Sequence, residues 1–450
     1  TFAMLKVGAI PVMVDPGMGI KNLAECLREA EPEAFIGVPK AQAARVIWGW
    51  GKQTIKTNVT VGRRFFWGGH TLGKLQAQAP DDPFPILQPD PEQTAAILFT
   101  SGSTGVPKGV VTPFRVFAAQ VKALRDVYGI QPGERDLATF PLFALFGPAL
   151  GMASVVPDMD ASRPVQADPQ RLYEAFQDYT CTNLFASPAL IDKLGRYCTD
   201  QGLELTSLRR AISAGAPASS PALERFQGCL PEGVDVLTCY GATESLPVTM
   251  LGSREILRET RQLTDRGGGV CVGRPSTGIH VRIVPIHDEP IESWSENLAL
   301  PRGEIGEIVV YGAVVTPSYY KRPQATKLAK IRAENGDLWH RMGDVGYFDE
   351  QGVYHATGNQ TQDTWNHEET FEDLRKIGLR PIIDQNGQPI DNTVTRRIKE
   401  GYRLLVVSLS DHDLYLGLGT PYPNNPKGGE VNGLQATMAA VDYTVANYPT

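Results

Sequence analysis

Residues 100–110 read Thr100-Ser101-Gly102-Ser103-Thr104-Gly105-Val106-Pro107-Lys108-Gly109-Val110. Glycines 102, 105 and 109 let the backbone approach an anion closely, and unhindered N–H groups in such a loop can form an anion-binding nest. The Ser and Thr hydroxyls add hydrogen-bond donors for phosphate oxygens. Lys108 adds a mobile point charge. The strand-like run Thr94–Thr100 leads straight into the loop, the context expected of a phosphate-binding turn. The spacing is not that of a Walker A loop, GxxxxGK[ST]. A Gly/Ser linker is the competing reading, but a linker needs neither Pro107-Lys108 nor a buried strand before it.

Tyr240-Gly241-Ala242-Thr243-Glu244 follows about 140 residues later. Alone it would be read as a surface turn; after the loop it offers a carboxylate of the kind Mg²⁺ takes beside phosphate oxygens. Ser213-Ala214-Gly215-Ala216-Pro217 and Arg341-Met342-Gly343-Asp344-Val345-Gly346-Tyr347 complete the set, with Gly303-Glu304-Ile305-Gly306-Glu307 and Tyr319-Tyr320-Lys321-Arg322-Pro323-Gln324-Ala325-Thr326 in order between them. Together these segments resemble the AMP-forming acyl-activating superfamily of acyl-CoA synthetases, luciferases and peptide-synthetase adenylation domains, over residues 1–358. The resemblance implies ATP and Mg²⁺ and a cytoplasmic ligase. It assigns phosphate binding to Thr100, Ser101, Gly102, Ser103, Thr104, Gly105 and Lys108. Gly215, Ala216 and Pro217 would line adenine and ribose, Tyr240 and Gly241 would lie by the adenine, and Asp344 would accept from both ribose hydroxyls, as one carboxylate can. Thr243 would contact the α-phosphate and Glu244 would hold the metal. Lys108, Thr243 and Glu244 form the implied catalytic set.

Within the superfamily the wording is similar to the β-lactone synthetases of bacterial long-chain olefin biosynthesis. The stretches Gly8-Ala9-Ile10-Pro11-Val12-Met13-Val14-Asp15-Pro16-Gly17-Met18-Gly19 and Phe140-Pro141-Leu142-Phe143-Ala144-Leu145-Phe146-Gly147-Pro148-Ala149 carry that likeness. It implies a long-chain β-hydroxy acid as substrate and a complex with enzymes of the same pathway. Adenylation makes the carboxylate oxygen a leaving group, and the β-hydroxyl of the same molecule then closes a four-membered ring, so proximity replaces a thiol acceptor. The stretch 140–150 is either an acyl-tunnel wall or ordinary core. A fatty acyl-CoA or acyl-AMP ligase is the alternative within the class. An inactive nucleotide-binding fragment is the alternative outside it.

The elements that must position these residues alternate. A helix at Phe2–Val7 precedes an extended run at Ile10–Val14. Leu23–Ala30 reads as a helix and Ala34–Val38 as a short buried strand, while Asn183–Ser187 and Leu208–Ser213 read as strand–loop junctions. The pattern predicts an α/β fold with parallel strands and crossover helices: a large adenylation core of mixed sheets with flanking helices. The Pro/Asp-rich residues 78–93 read as a surface connection. From about Gly303 short strands with Gly turns predict a β-rich subdomain.

The chain's 450 residues leave room for a large core, and 42% hydrophobic and 21% charged residues are ordinary for a globular protein. A net charge of −7 gives no electrostatic reason to expect a nucleic-acid partner. The six scattered cysteines form no CxxC pair, which argues against a zinc site or a disulfide framework and for a reducing cytosol. No apolar run is long enough to span a bilayer.

Three departures from the family pattern stand out. The chain reads as truncated at its start, which would leave apolar faces uncovered. Val111-Thr112-Pro113-Phe114-Arg115-Val116 follows the phosphate loop where an aromatic or His-containing stretch is usual, and Pro113 there is expected to disturb the next helix unless it lies in its first turn. The C-terminal lid is not recognisable: Asn359 stands where an Arg follows the Gly358 position, and neither Lys399 nor Lys427 matches the lid lysine. Residues 359–450 read as a separate tail, with a helix near 368–377, a strand at Tyr402–Leu409 and a helix at 432–447. This faintly resembles the start of an α/β-hydrolase, without a nucleophile motif. The sequence therefore suggests a splice of two truncated segments. His412 between Asp411 and Asp413 reads as a solvated loop, since no third metal ligand is in view.

Overall fold

The computed structural model describes residues 2–359 except 16–17, 81–83, 101–106, 141–142, 161–162, 266–267 and 351. The expectations for the tail beyond 359 lie outside the described residues, as do those for 101–105 of the phosphate loop.

The alternation read from the sequence folds as parallel β/α units. Strands Arg135–Ala138, Asn183–Ala186, Arg210–Ser213 and Val236–Ala242 run parallel in one sheet, with Ala153–Val155 at its edge. Helices Pro169–Asp178, Pro188–Gln201 and Ser220–Gln227 connect them. The local chemistry explains each boundary. Ser187 caps Pro188–Gln201 by accepting from the Leu190 N–H, Pro188 opens the helix, and Gly202 ends it at φ 64°. Helix Phe114–Tyr128 buries Val116, Gln120, Leu124 and Tyr128, a stripe at four-residue spacing. Pro113 ends strand Gly109–Pro113 and is the extended residue that enters this helix, so it leaves the helix undisturbed. Phe176, Phe226, Leu184, Ile191 and Leu223 are fully buried between these helices and the sheet.

The β-rich stretch after Gly303 is joined to the parallel strands edge to edge. Val236–Ala242 turns back as the antiparallel Ser245–Gly252, which pairs with Val270–Pro275, and that strand pairs with Tyr354–Asn359. Leu338–Phe348, Gly306–Tyr311 and His280–Val284 continue the ladder, and Lys330–Arg332 pairs with Leu338–Phe348. Among the described residues this makes a twelve-stranded mixed sheet. A second, four-stranded sheet orders Val12–Met13, Thr94–Phe99, Gly109–Pro113 and Ser318–Tyr319 side by side. The described residues of the 78–93 connection, 78–80 and 84–93, carry no helix or strand and are mostly exposed, as expected.

Ala34–Gly37 is a strand but not a buried one: it pairs with Thr57–Thr60 in a small parallel sheet, with Ala34 and Ile36 exposed. Ile47, Trp48, Phe65 and Phe66 are exposed on the same part of the chain. A run of apolar residues signals a strand, but not whether both of its faces are covered.

Candidate active site

The phosphate loop connects two antiparallel strands. Thr94–Phe99 pairs with Gly109–Pro113, and the Thr100 N–H donates to the Lys108 carbonyl at 3.1 Å, closing the hairpin across 101–107. Lys108 is half-buried beside this closure. Its ammonium lies 5.3 Å from the centroid of the Tyr319 ring, a cation–π arrangement. Tyr319 reaches this position because Ser318–Tyr319 is the next strand of the same sheet, Tyr319 facing Val110. Burial pulls the Lys108 pKa down, the charge of Glu244 pushes it back up, and Arg322 pulls it down again.

Thr243 and Glu244 form the two-residue turn between Val236–Ala242 and Ser245–Gly252, where Ala242 faces Ser245. The expectation of a turn for these residues alone therefore holds. Yet Glu244 is only 8% exposed, which no ordinary surface turn would require. The Tyr319 hydroxyl donates to Glu244 Oε1 at 2.7 Å, and the Thr316 N–H and hydroxyl both donate to the Glu244 carbonyl, at 2.9 and 3.1 Å. Backbone and side chain of this carboxylate are thus both fixed from the segment 316–319. Burial, and the carboxylate beside it, drive the Tyr319 hydroxyl pKa far up, so it remains a donor.

Asp344 lies in the long strand Leu338–Phe348 and accepts from the Tyr240 hydroxyl at 2.6 Å through Oδ2. Burial pushes its carboxyl up to about 6; Tyr240 opposes that shift, and the charges of Glu244 and Glu307 add to it. The strand is anchored two layers deep. Arg341 pairs with the buried Glu307 at 2.6 Å and also donates to the carbonyls of His287, Glu289 and Leu328. Gly215-Ala216-Pro217 is exposed in the loop after strand Arg210–Ser213, at the same end of the sheet as Tyr240, since Ser213 faces Thr238 in the parallel ladder. Gly215 sits at φ 95°, a conformation a side chain would strain.

Among the described residues no group of three or more His, Cys, Asp or Glu could cage a metal. Mg²⁺ takes one or two carboxylates with phosphate oxygens and water. Glu244 offers such a carboxylate, with one oxygen held by Tyr319, and its donor set of hard oxygens fits that ion.

The arrangement has counterparts among known proteins. Residues 1–320 match the family model described as AMP-binding enzyme. The chain belongs to the AMP-binding enzyme family. It is 46% identical to the olefin beta-lactone synthetase of Stenotrophomonas maltophilia over 398 residues, covering 87% of this chain and 69% of that protein. It is also 46% identical to the olefin beta-lactone synthetase of Xanthomonas campestris over 364 residues, 80% of this chain and 64% of that one. The chain thus spans about two thirds of the length of these relatives. A long-chain-fatty-acid-CoA ligase from Archaeoglobus fulgidus shares the fold at a TM-score of 0.65 and 21% identity, over 84% of this chain and 71% of that one. The resemblance drawn from the motifs is borne out, and with it a ligase core of the AMP-forming kind.

Motif reasoning located Thr100, Lys108, Tyr240, Gly241, Thr243, Glu244 and Asp344, and the fold gathers Lys108, Glu244, Tyr240 and Asp344 within mutual electrostatic or hydrogen-bond reach. It quoted Tyr319 only for its order in the chain and missed Thr316, Lys330 and His340. A lysine closing the apolar-periodic run Leu328-Ala329-Lys330-Ile331 was the available signal.

Proposed function

We propose that the chain activates a long-chain β-hydroxy acid with ATP and Mg²⁺ as the acyl-adenylate and closes it to a β-lactone. The observation that carries this reading is the 46% identity to two proteins named olefin beta-lactone synthetase. In the first step the substrate carboxylate attacks the α-phosphorus and pyrophosphate leaves. In the second the β-hydroxyl oxygen attacks the acyl carbon, its proton is released, and AMP departs with the carboxylate oxygen.

The chain's own residues account for the first step. The loop Thr100, Ser101, Gly102, Ser103, Thr104, Gly105 cradles the phosphates, and Lys108 places an ammonium beside them where negative charge builds. Thr243 meets the α-phosphate from the turn. Mg²⁺ bound at Glu244 would offset charge on the phosphate oxygens. Asp344 accepts the ribose hydroxyls with Tyr240 steadying one oxygen, while Gly241, Gly215, Ala216 and Pro217 border the base. Phe146, Gly147 and Leu150 border only a water-sized cavity of about 10 Å³ within a buried core cluster, which favours ordinary core for this stretch over an acyl-tunnel wall. We further propose a cytoplasmic setting and assign the tail no catalytic role. No described helix is long and apolar enough to cross a membrane.

The test is product analysis without coenzyme A. Incubation with ATP, Mg²⁺ and a long-chain β-hydroxy acid should yield AMP and β-lactone in equal amounts. AMP formation that requires a thiol and is indifferent to the β-hydroxyl would mark an acyl-CoA ligase instead.

A further inference from the structure

Lys330 opens the short strand Lys330–Arg332 and is only 7% exposed. Among the described residues no carboxylate pairs with it. Burying an amine without a carboxylate partner costs stability, and burial pulls the Lys330 pKa down to about 7, against the charge of Glu244. Its Nζ lies 3.5 Å from Thr316 Oγ1, the long end of hydrogen-bond range. Thr316 Oγ1 in turn donates to the Glu244 carbonyl, beside the Thr316 N–H bond to the same oxygen. The donors therefore run one way, from Lys330 through the hydroxyl to the main chain of the carboxylate's own turn. Lys330 donates to Thr316 Oγ1, which leaves the hydroxyl proton for the Glu244 carbonyl.

The surroundings hold no competing acceptor in the described set. His340 faces Lys330 across the ladder, its Nδ1 3.1 Å from the Ala329 carbonyl. Lys108, Arg115 and Arg341 bring further positive charge to Lys330 or His340. Glu244 is the negative charge that acts on both Lys108 and Lys330.

We infer that Lys330 is a positioning residue for Glu244, orienting the Thr316 hydroxyl so that the turn presents its carboxylate to the metal–phosphate group of ATP. Nothing in the motif set assigns it this role, and the inference rests on the proposed metal role of Glu244.

The test is nucleotide binding by the full chain, measured calorimetrically for ATP with Mg²⁺ and for ATP with a chelator. Lys330→Met should weaken binding with Mg²⁺ about tenfold, as expected for loss of one hydrogen bond behind the turn, and leave metal-free binding within about twofold. Thr316→Val should reproduce the split, and the double variant should be no worse than either single one, because both act through one chain of bonds. Thermal melting of Lys330→Met should be unchanged or higher, since a buried polar group without a carboxylate partner has been removed. Unaltered binding with Mg²⁺, equal loss with and without it, or additive losses in the double variant would overturn the inference. Wild-type binding that ignores Mg²⁺ would instead remove the metal role of Glu244, and is seen before any variant is made.

Discussion

At the scale of single residues, the site is built by pairing each carboxylate with a hydroxyl donor. Glu244 takes Tyr319, and Asp344 takes Tyr240. The Asp344 pairing has a consequence for pH. Its carboxyl sits at about 6, raised first by burial, against an ordinary aspartate value in the unfolded chain. Being raised in the fold, it costs stability when ionised; that cost is full above about 6 and fades as pH falls toward the unfolded value. Only the ionised form accepts from both ribose hydroxyls, so affinity for adenosine, which carries no phosphate to titrate, should fall roughly tenfold from pH 7.5 to pH 5. Asp344→Asn should bind adenosine weakly with no such slope, and should melt no lower than wild type at pH 7.5. A flat wild-type profile by equilibrium titration would contradict this role for Asp344.

Among the elements, strand Val270–Pro275 matters most, because it joins the parallel strands to the β-rich ladder. It pairs with Ser245–Gly252 on one side and Tyr354–Asn359 on the other, with an irregularity at Cys271/Gly273. Gly273 sits at φ 91°, and a Cβ there would lie 2.0 Å from the Met250 carbonyl oxygen. Gly273→Ala should therefore destabilise by roughly 3 kcal/mol or more, by strain at a left-handed position plus a backbone clash. Chemical denaturation measures it, and a loss below about 1 kcal/mol would show that the strand shifts freely.

The same elements show what the sequence could and could not tell. Alternation of apolar runs made the parallel units legible, including the strand–loop junctions at Asn183–Ser187 and Leu208–Ser213. The family's motifs and the turn at Thr243-Glu244 were legible because their residue types follow one another locally. Tyr319 against Glu244, 75 residues away, and Lys330 behind Thr316 were not, since both depend on two sheets meeting. Nor did periodicity reveal that the β-rich stretch continues the main sheet, because strand pairing is not written in either strand alone.

For the molecule as a whole, the described residues bring the loop strand of one sheet against the hairpin turn of the other, with the segment 316–319 as the tie between them. This continuity places Lys108, Glu244 and Asp344 in one unit, residues 1–360. This unit is the part of the chain proposed to carry out acid activation. ATP–pyrophosphate exchange on the purified chain tests it most directly, with a long-chain β-hydroxy acid set against the matching plain fatty acid. Exchange that depends on Mg²⁺, prefers the β-hydroxy acid and falls at least about a hundredfold in Glu244→Gln is the predicted result, a loss typical of removing a group that stabilises developing charge. No exchange with either acid, from a chain that still binds ATP, would contradict it.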